Sequence, residues 1–453
     1  MTFLGAVGTV TGSRFLVQGT GGRILVDAGL FQGIADLRRR NWTELGIDPR
    51  TLDAVVVTHA HLDHCGYLPK LVRDGFAGPI VCTAETGALV GIVLRDSAHL
   101  QEEDAAYANS AGFSKHSPAL PLYDRADVER TLPLITPAPY DRTTPLAPGL
   151  SVRLGPAGHI LGSATALVTV DGARVLFSGD LGRPHHPLLP PPADPPATDV
   201  LVVESTYGDR THPPPDDDVL ADAVRRTVGR GGTVLVPAFA VDRTELVLLA
   251  MVRLRKAGKI PDVPVFVDSP MALETLDVYR RAAGQGHTAG DRRAWDDLLG
   301  MTHVRRVREA GESMGLNRPA YPCIIVSASG MATGGRVVHH LRHQLPDPRN
   351  TVILTGYQAE GTRGRQLLDG ARQLKMHGRY VPVHAEIVQV TDFSVHADAG
   401  EIVAWMRRMP RPPHTVYVVH GEPRAAAALA ERVADELHWC AVVPRLGERV
   451  LLA

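Results

Sequence analysis

The apolar run DAVVVTH (53 to 59) leads straight into a cluster of ligand-type side chains: His59, His61, Asp63 and His64 crowd into six residues. Imidazole and carboxylate together suit zinc. A turn leaving a strand directs alternate side chains differently, so His59 and His61 can serve one ion while Asp63 and His64 serve a second. Four more residues of the same kind follow apolar runs: Asp27 after RILV, His159 after SVRLGPAG, Asp180 after RVLFSG and His420 after TVYVV. Any one of them alone reads as a cap or a core polar group. As a set at the carboxyl ends of strands they read as one site, because that edge is where open α/β sheets place their sites.

The elements that must carry these residues are short apolar runs of strand length: RILVD (23 to 27), DAVVVTH (53 to 59), LSVRLG (150 to 155), ATALVTV (164 to 170), ARVLFSGD (173 to 180) and DVLVVEST (199 to 206). Residues 85 to 109 have a helical pattern instead, an apolar face followed by an acidic one, so the region is α/β. The N-terminus reads as strand, Gly-rich turn and strand. PHHPLLPPPADPPATD (184 to 199) is Pro-dense and non-periodic, an ordered surface loop. From residue 212 the pattern changes to helices alternating with buried strands (218 to 229, TVLVPAF, 242 to 258, VPVFVDS, 271 to 283, CIIVSAS, TVILTGY), the signature of a parallel sheet. The strands AEIVQV and TVYVVH and two further helices close the chain.

A chain of 453 residues predicts two domains, and 44% hydrophobic with 21% charged residues excludes a disordered chain. No apolar run approaches the roughly 20 residues that span a bilayer, and the first residues lack the basic start of a signal peptide. The four cysteines (Cys65, Cys82, Cys323, Cys440) lie far apart, so neither disulfides nor a cysteine metal site is expected and a reducing cytoplasm fits. The net charge of -1 conceals a local excess: residues 301 to 379 hold twelve Lys/Arg against five acids, a segment of +7. Such a face suits phosphate. Within it, SASGMATGG precedes a helix and combines small residues with backbone amides, which also suits phosphate. Ser329, Thr333, Arg336 and Arg365 are the candidate substrate contacts. His339, His340 and His343 read as a surface or groove helix, since no acid-rich partner strand accompanies them.

The order Asp27, HAHLDH, His159 and Asp180 resembles the metallo-β-lactamase superfamily, an αββα sandwich with metals at one edge. Glu204 in VVESTYG, His396 in DFSVHAD, His420 in VVHGE, and PAFAVDRTE, VDSPMA, SASGMATGG and TGYQAEGTRG resemble its β-CASP branch of RNA- and DNA-processing nucleases. The similarity spans nearly the whole chain. Asp242 stands where relatives often have Gly, which questions a close backbone approach there.

The resemblance implies a metallo-β-lactamase domain from residues 1 to 207 and 376 to 453, with a β-CASP domain (208 to 375) inserted and the active site in a cleft between them. It implies two Zn2+ per chain, with Mn2+ as the alternative ion: His59, His61, His159 and Asp180 on one; Asp63, His64, Asp180 and His420 on the other. A bridging hydroxide would attack phosphorus. Asp27 would orient a ligating His, and His396 would be the general acid, held by Glu204; with Asp63 these are the residues of the reaction. The implied substrate is single-stranded RNA, gripped by the two core domains, since no KH-type extension is read. The competing readings are a DNA nuclease of the same branch, whose members usually lack the His at 420, and a small-molecule ester or thioester hydrolase, which has no use for a basic insert of this size. A metal-free RNA-binding scaffold is the remaining class, against which stands the complete ligand set.

Overall fold

The structure is a computed structural model that describes residues 1–112, 116–214, 216–284, 291–301 and 303–452. It divides into two compact units, Met1–Thr211 with Val395–Ala453, and His212–Ser394.

Two sheets build the first unit. One holds six strands in the order Thr2–Phe3, Phe15–Gln18, Arg23–Val26, Ala54–Val56, Ile80–Cys82 and Ile135–Pro137, the last four mutually parallel. The other holds seven, in the order Ala441–Val442, Thr415–Val418, Val200–Val203, Ala173–Phe177, Ala164–Val170, Leu150–Pro156 and Thr143–Ala147. Alternation sorts the side chains of this second sheet. Val175, Phe177, Val200 and Val202 join Val17, Ile24, Val26 and Val56 in one buried cluster between the sheets. Leu176, Leu201 and Val203 point the other way, onto Ile402, Val403 and Met406 of helix Ala399–Arg407 and Leu429 and Val433 of helix Pro423–Leu437. Helix Ala84–Ala111 covers the first sheet, its start capped by Thr83 Oγ1 accepting from Thr86 N. The architecture is the expected αββα sandwich.

The second unit is a six-stranded, wholly parallel sheet in the order Val304–Arg306, Val265–Val267, Ile324–Ser327, Val234–Pro237, Thr351–Leu354 and Glu386–Gln389. Helix Arg336–Gln344 lays Val337, Val338 and Leu341 on Leu235, Ile325, Val352 and Leu354. Residues 376 to 394, expected with the C-terminal part of the first domain, belong here instead. Strand Glu386–Gln389 pairs in parallel with Thr351–Leu354, from Thr351 opposite Glu386 to Leu354 opposite Gln389. A short apolar run fits either sheet; only the ladder chooses.

Asp242 is fully buried at φ +67°, the left-handed region that glycine enters at least cost, and its Oδ1 accepts from Tyr279 Oη at 2.6 Å. The backbone geometry that Gly would serve is therefore kept, with a side-chain bond added. Among the described residues the cysteines are free thiols, and no helix is long and apolar enough to cross a membrane.

Candidate metal centre

Parallel strands put their carboxyl ends on one edge, and the candidate residues lie just beyond those ends. Strand Arg23–Val26 gives Asp27, Ala54–Val56 leads to His59, Ala173–Phe177 to Asp180, Val200–Val203 to Glu204 and Thr415–Val418 to His420. The chain turns sharply there: Asp27 has φ +58° and His420 φ +50°. Non-glycine residues held in this region are costly and cluster at functional sites. After Asp27 the chain needs Gly29, because a Cβ there would lie 1.6 Å from the carbonyl oxygen of Asp63. That close approach brings the HAHLDH turn against the Asp27 turn.

Two groups of donor atoms result. His59 Nε2 lies 3.1 Å from His61 Nδ1, which lies 3.2 Å from His159 Nε2, and Asp180 Oδ2 is 3.5 Å from His59 Nε2 and 3.7 Å from His159 Nε2. On the other side of Asp180, Oδ1 is 3.2 Å from His64 Nε2, which is 3.3 Å from His420 Nε2, itself 3.4 Å from Asp63 Oδ2. Zinc–nitrogen bonds of about 2.0–2.1 Å make a tetrahedron with edges near 3.3 Å. Both groups have edges near this length, so the His and Asp donors suit a metal, and the two oxygens of Asp180 each face one group.

The surroundings fix which ring atoms face inward. The Val395 carbonyl can only accept, so His159 Nδ1 carries its proton at 3.3 Å and Nε2 keeps a lone pair. Asp27 Oδ2 accepts from His64 Nδ1 at 2.7 Å and turns His64 Nε2 inward. Asp27 is itself held by Thr58, whose N donates to Oδ1 at 2.8 Å and whose Oγ1 donates to Oδ2 at 3.0 Å. Thr206 Oγ1 lies 3.2 Å from His420 Nδ1. Loss of solvent, with the other rings nearby, holds His59 and His159 well below the usual imidazole range and pushes His61 down to about 4. Burial would lower His64 too, but Asp180 and Asp27 outweigh it and raise it. Burial opposes ionisation of Asp180, yet His420, His64 and His59 hold its carboxyl well below the usual range.

His396 stands beside this centre. Its Nδ1 is 3.2 Å from Glu204 Oε1, its ring centroid is 4.4 Å from that of His159, and its backbone bridges Gly182. Glu204 is fixed by Leu181 N, which donates to Oε1 at 2.7 Å, and Thr206 N, which donates to Oε2 at 3.2 Å. All the metal and acid candidates read from the sequence thus come together in the first unit. Thr58, Thr206 and the Val395 carbonyl were missed. Hydroxyl residues beside HAHLDH and in VVEST were the available signal for the two threonines, whereas a carbonyl leaves none.

The substrate candidates lie in the second unit, each bonded to another group of that unit. Ser329 Oγ lies 3.0 Å from Thr333 Oγ1 and accepts from Thr333 N at 3.0 Å. Arg336 donates to Asp268 Oδ1 at 2.7 Å and to the Arg308 and Val307 carbonyls, and Arg365 pairs with Asp369 at 3.1 Å. His340 is fully buried, with Nε2 2.6 Å from Asp268 Oδ2. The expectation that its helix lacks an acidic partner is corrected: Asp268 closes strand Val265–Val267, far away in the sequence.

The chain matches the metallo-β-lactamase superfamily over residues 7–238, the β-CASP domain over 244–367 and the Zn-dependent metallo-hydrolase RNA specificity domain over 380–444. It is 35% identical to ribonuclease TTHA0252 of Thermus thermophilus, covering 95% of both chains. It is 31% identical to an RNase J-like protein of Methanocaldococcus jannaschii (94% of this chain, 93% of the relative). A transcription termination factor FttA of the same archaeon is 30% identical, covering 96% of this chain and 68% of the relative. A crystal structure of an Enterococcus faecalis protein of unknown function shares the fold at TM-score 0.52 and 14% identity, over 99% of this chain and 98% of that one.

Proposed function

The chain belongs to the metallo-β-lactamase superfamily and, within it, to the β-CASP nucleases, which makes it a metal-dependent hydrolase of the ribonuclease class; on that premise we propose that it hydrolyses phosphodiester bonds of single-stranded RNA with two zinc ions. The observation that carries this reading is Asp180, whose two oxygens face two separate groups of imidazole and carboxylate donors. His59, His61 and His159 with Asp180 Oδ2 would hold one ion, and Asp63, His64 and His420 with Asp180 Oδ1 the other. Bound there, zinc supplies water that ionises near neutral pH and positive charge beside the phosphate.

The remaining work falls to the chain's own groups. Asp27 accepts from His64 Nδ1 and so keeps Nε2 aimed inward. Glu204 accepts from His396 Nδ1, which orients the ring, and His396 Nε2 gives its proton to the departing oxygen. Free thiols support a reducing cytoplasm as the setting.

The test combines elemental analysis with cleavage of 5′-labelled and 3′-labelled single-stranded RNA beside DNA of the same sequence. About two zinc ions per chain are expected, with RNA cut and DNA cut weakly or not at all. His396→Ala should retain the metal and lose about 10²- to 10⁴-fold in turnover, whereas Asp180→Ala should lose both. Zinc near zero after reconstitution, full activity in Asp180→Ala, or faster turnover of a lactam or thioester would overturn the reading.

A further inference from the structure

Five of the twelve cations between residues 301 and 379 are spent on carboxylates: Arg306 and Arg308 on Asp277, Arg336 on Asp268, Arg349 on Asp347 and Arg365 on Asp369. Arg318, Arg342, Arg372, Lys375 and Arg379 have no carboxylate within 4.0 Å among the described residues. Three of these five flank or belong to one hairpin, Gln373–Met376 paired with Arg379–Pro382.

The register sorts the faces of this hairpin. Leu374 opposes Val381, and both are buried in the core of the second unit. Lys375 opposes Tyr380, and Gln373 opposes Pro382, all four exposed, whereas Arg379 opposes the buried Met376 and is exposed only because it stands where the hairpin ends. Opposed residues place their Cβ atoms about 4.5–5.5 Å apart, so a cation stands beside an aromatic ring on the outer face. Tyr380 is 66% exposed, although the same hairpin buries Leu374 and Met376 completely. At the turn, His377 stacks on His339 of helix Arg336–Gln344, with ring centroids 4.7 Å apart and planes at 32°. Partial burial, then the charges of His339, Arg342 and Arg363, hold His377 below the usual imidazole range. Arg363 fastens this surface to the Gly-rich loop, with Nε donating to the Lys375 carbonyl and Nη1 to those of Ala332 and Thr333.

We propose that the exposed surface of this hairpin, from the Lys375–Tyr380 pair round its ends to the helix beside it, binds single-stranded RNA, with Tyr380 stacking on a base, Lys375 beside it meeting a phosphate, and Arg379, Arg372 and Arg342 meeting phosphates around the hairpin's rim. A positive track interleaved with an exposed ring is the general solution for unpaired nucleic acid, whose bases have free faces. A duplex offers Tyr380 no such face. The surface rests on the RNA reading above and replaces Arg336 and Arg365 as the grip.

The experiment uses the full chain with His396→Ala to suppress cleavage, and fluorescence anisotropy with a 20-nucleotide oligoadenylate RNA. Tyr380→Ala should bind about tenfold more weakly and Tyr380→Phe within twofold of the parent, because only the first removes the ring. Duplex RNA should bind both equally. Lys375→Ala with Arg379→Ala should lower the slope of log affinity against log salt by about 1.4, roughly 0.7 per phosphate lost. Zinc content and melting midpoint report that each variant is folded. Unchanged affinity in Tyr380→Ala together with an unchanged salt slope in the double variant would overturn the surface while leaving the ribonuclease reading intact. A parent that binds no RNA overturns both.

Discussion

At Asp27 one side chain settles the orientation of another residue that the sequence could only propose as a ligand. Its backbone lies at φ +58°, a conformation costing roughly 1–2 kcal/mol for most L-residues and one that Asp tolerates better than most. The site offsets this through three donors, Thr58 N, Thr58 Oγ1 and His64 Nδ1, at 2.8, 3.0 and 2.7 Å. Removing such an outer partner typically costs a metal site about 10- to 100-fold in affinity, so Asp27→Ala should weaken zinc binding by that factor. Competition with a zinc-sensitive chelator measures it. An unchanged dissociation constant would mean that His64 is held by something other than Asp27. Asp27 was legible because it ends an apolar run; Thr58, which holds it, was passed over as part of the strand.

Helix Arg243–Lys256 carries a different burden. Glu245 is completely buried, and neither of its carboxyl oxygens has a hydrogen-bond partner among the described residues. Burial first, and then the negative charge of Asp242, push this carboxyl well above the ordinary value of 4.5. The folded chain therefore binds the proton more tightly than the unfolded chain, and the stability this group contributes below pH 4.5 is lost as pH rises toward the raised value. Glu245→Gln removes that slope. Its melting midpoint should match the parent near pH 4.5 and exceed it by about 2–6 °C at pH 8, taking roughly 1–2 kcal/mol for the relieved group. A midpoint difference that does not grow with pH would show that Glu245 is not ionising. The same part of the fold shows why His340 was misread. Helical spacing told correctly that three histidines share helix Arg336–Gln344, but the acid that buries one of them arrives from a strand end that the helix pattern cannot name.

On the scale of the whole molecule, the two units share no sheet and no buried cluster, and every candidate metal ligand lies in the first. Anything bound by the native state alone stabilises it by about 4 kcal/mol at a thousandfold excess over its dissociation constant. Chelation should therefore loosen the first unit selectively. Amide hydrogen exchange read by mass spectrometry should show lost protection around residues 54 to 64 and 415 to 420, with strand Ile324–Ser327 unchanged. Equal loss in Ile324–Ser327, or none anywhere, would contradict a metal centre confined to the first unit.

The sequence by itself determined the elements and the chemistry. Alternating and fully apolar runs marked the strands because a side chain's face follows from its position along the strand, and HAHLDH announced a cation site because four such groups rarely gather without one. Only the tertiary structure decided what those groups do to one another. Pairing across the sheet moved Glu386–Gln389 into the second unit, since hydrogen-bond ladders form between segments whose order no local pattern records. Packing also divided the basic segment. Arg336 and Arg365 met carboxylates, while Lys375 was set beside Tyr380 on an open face, because which charge is neutralised depends on neighbours brought from elsewhere in the fold.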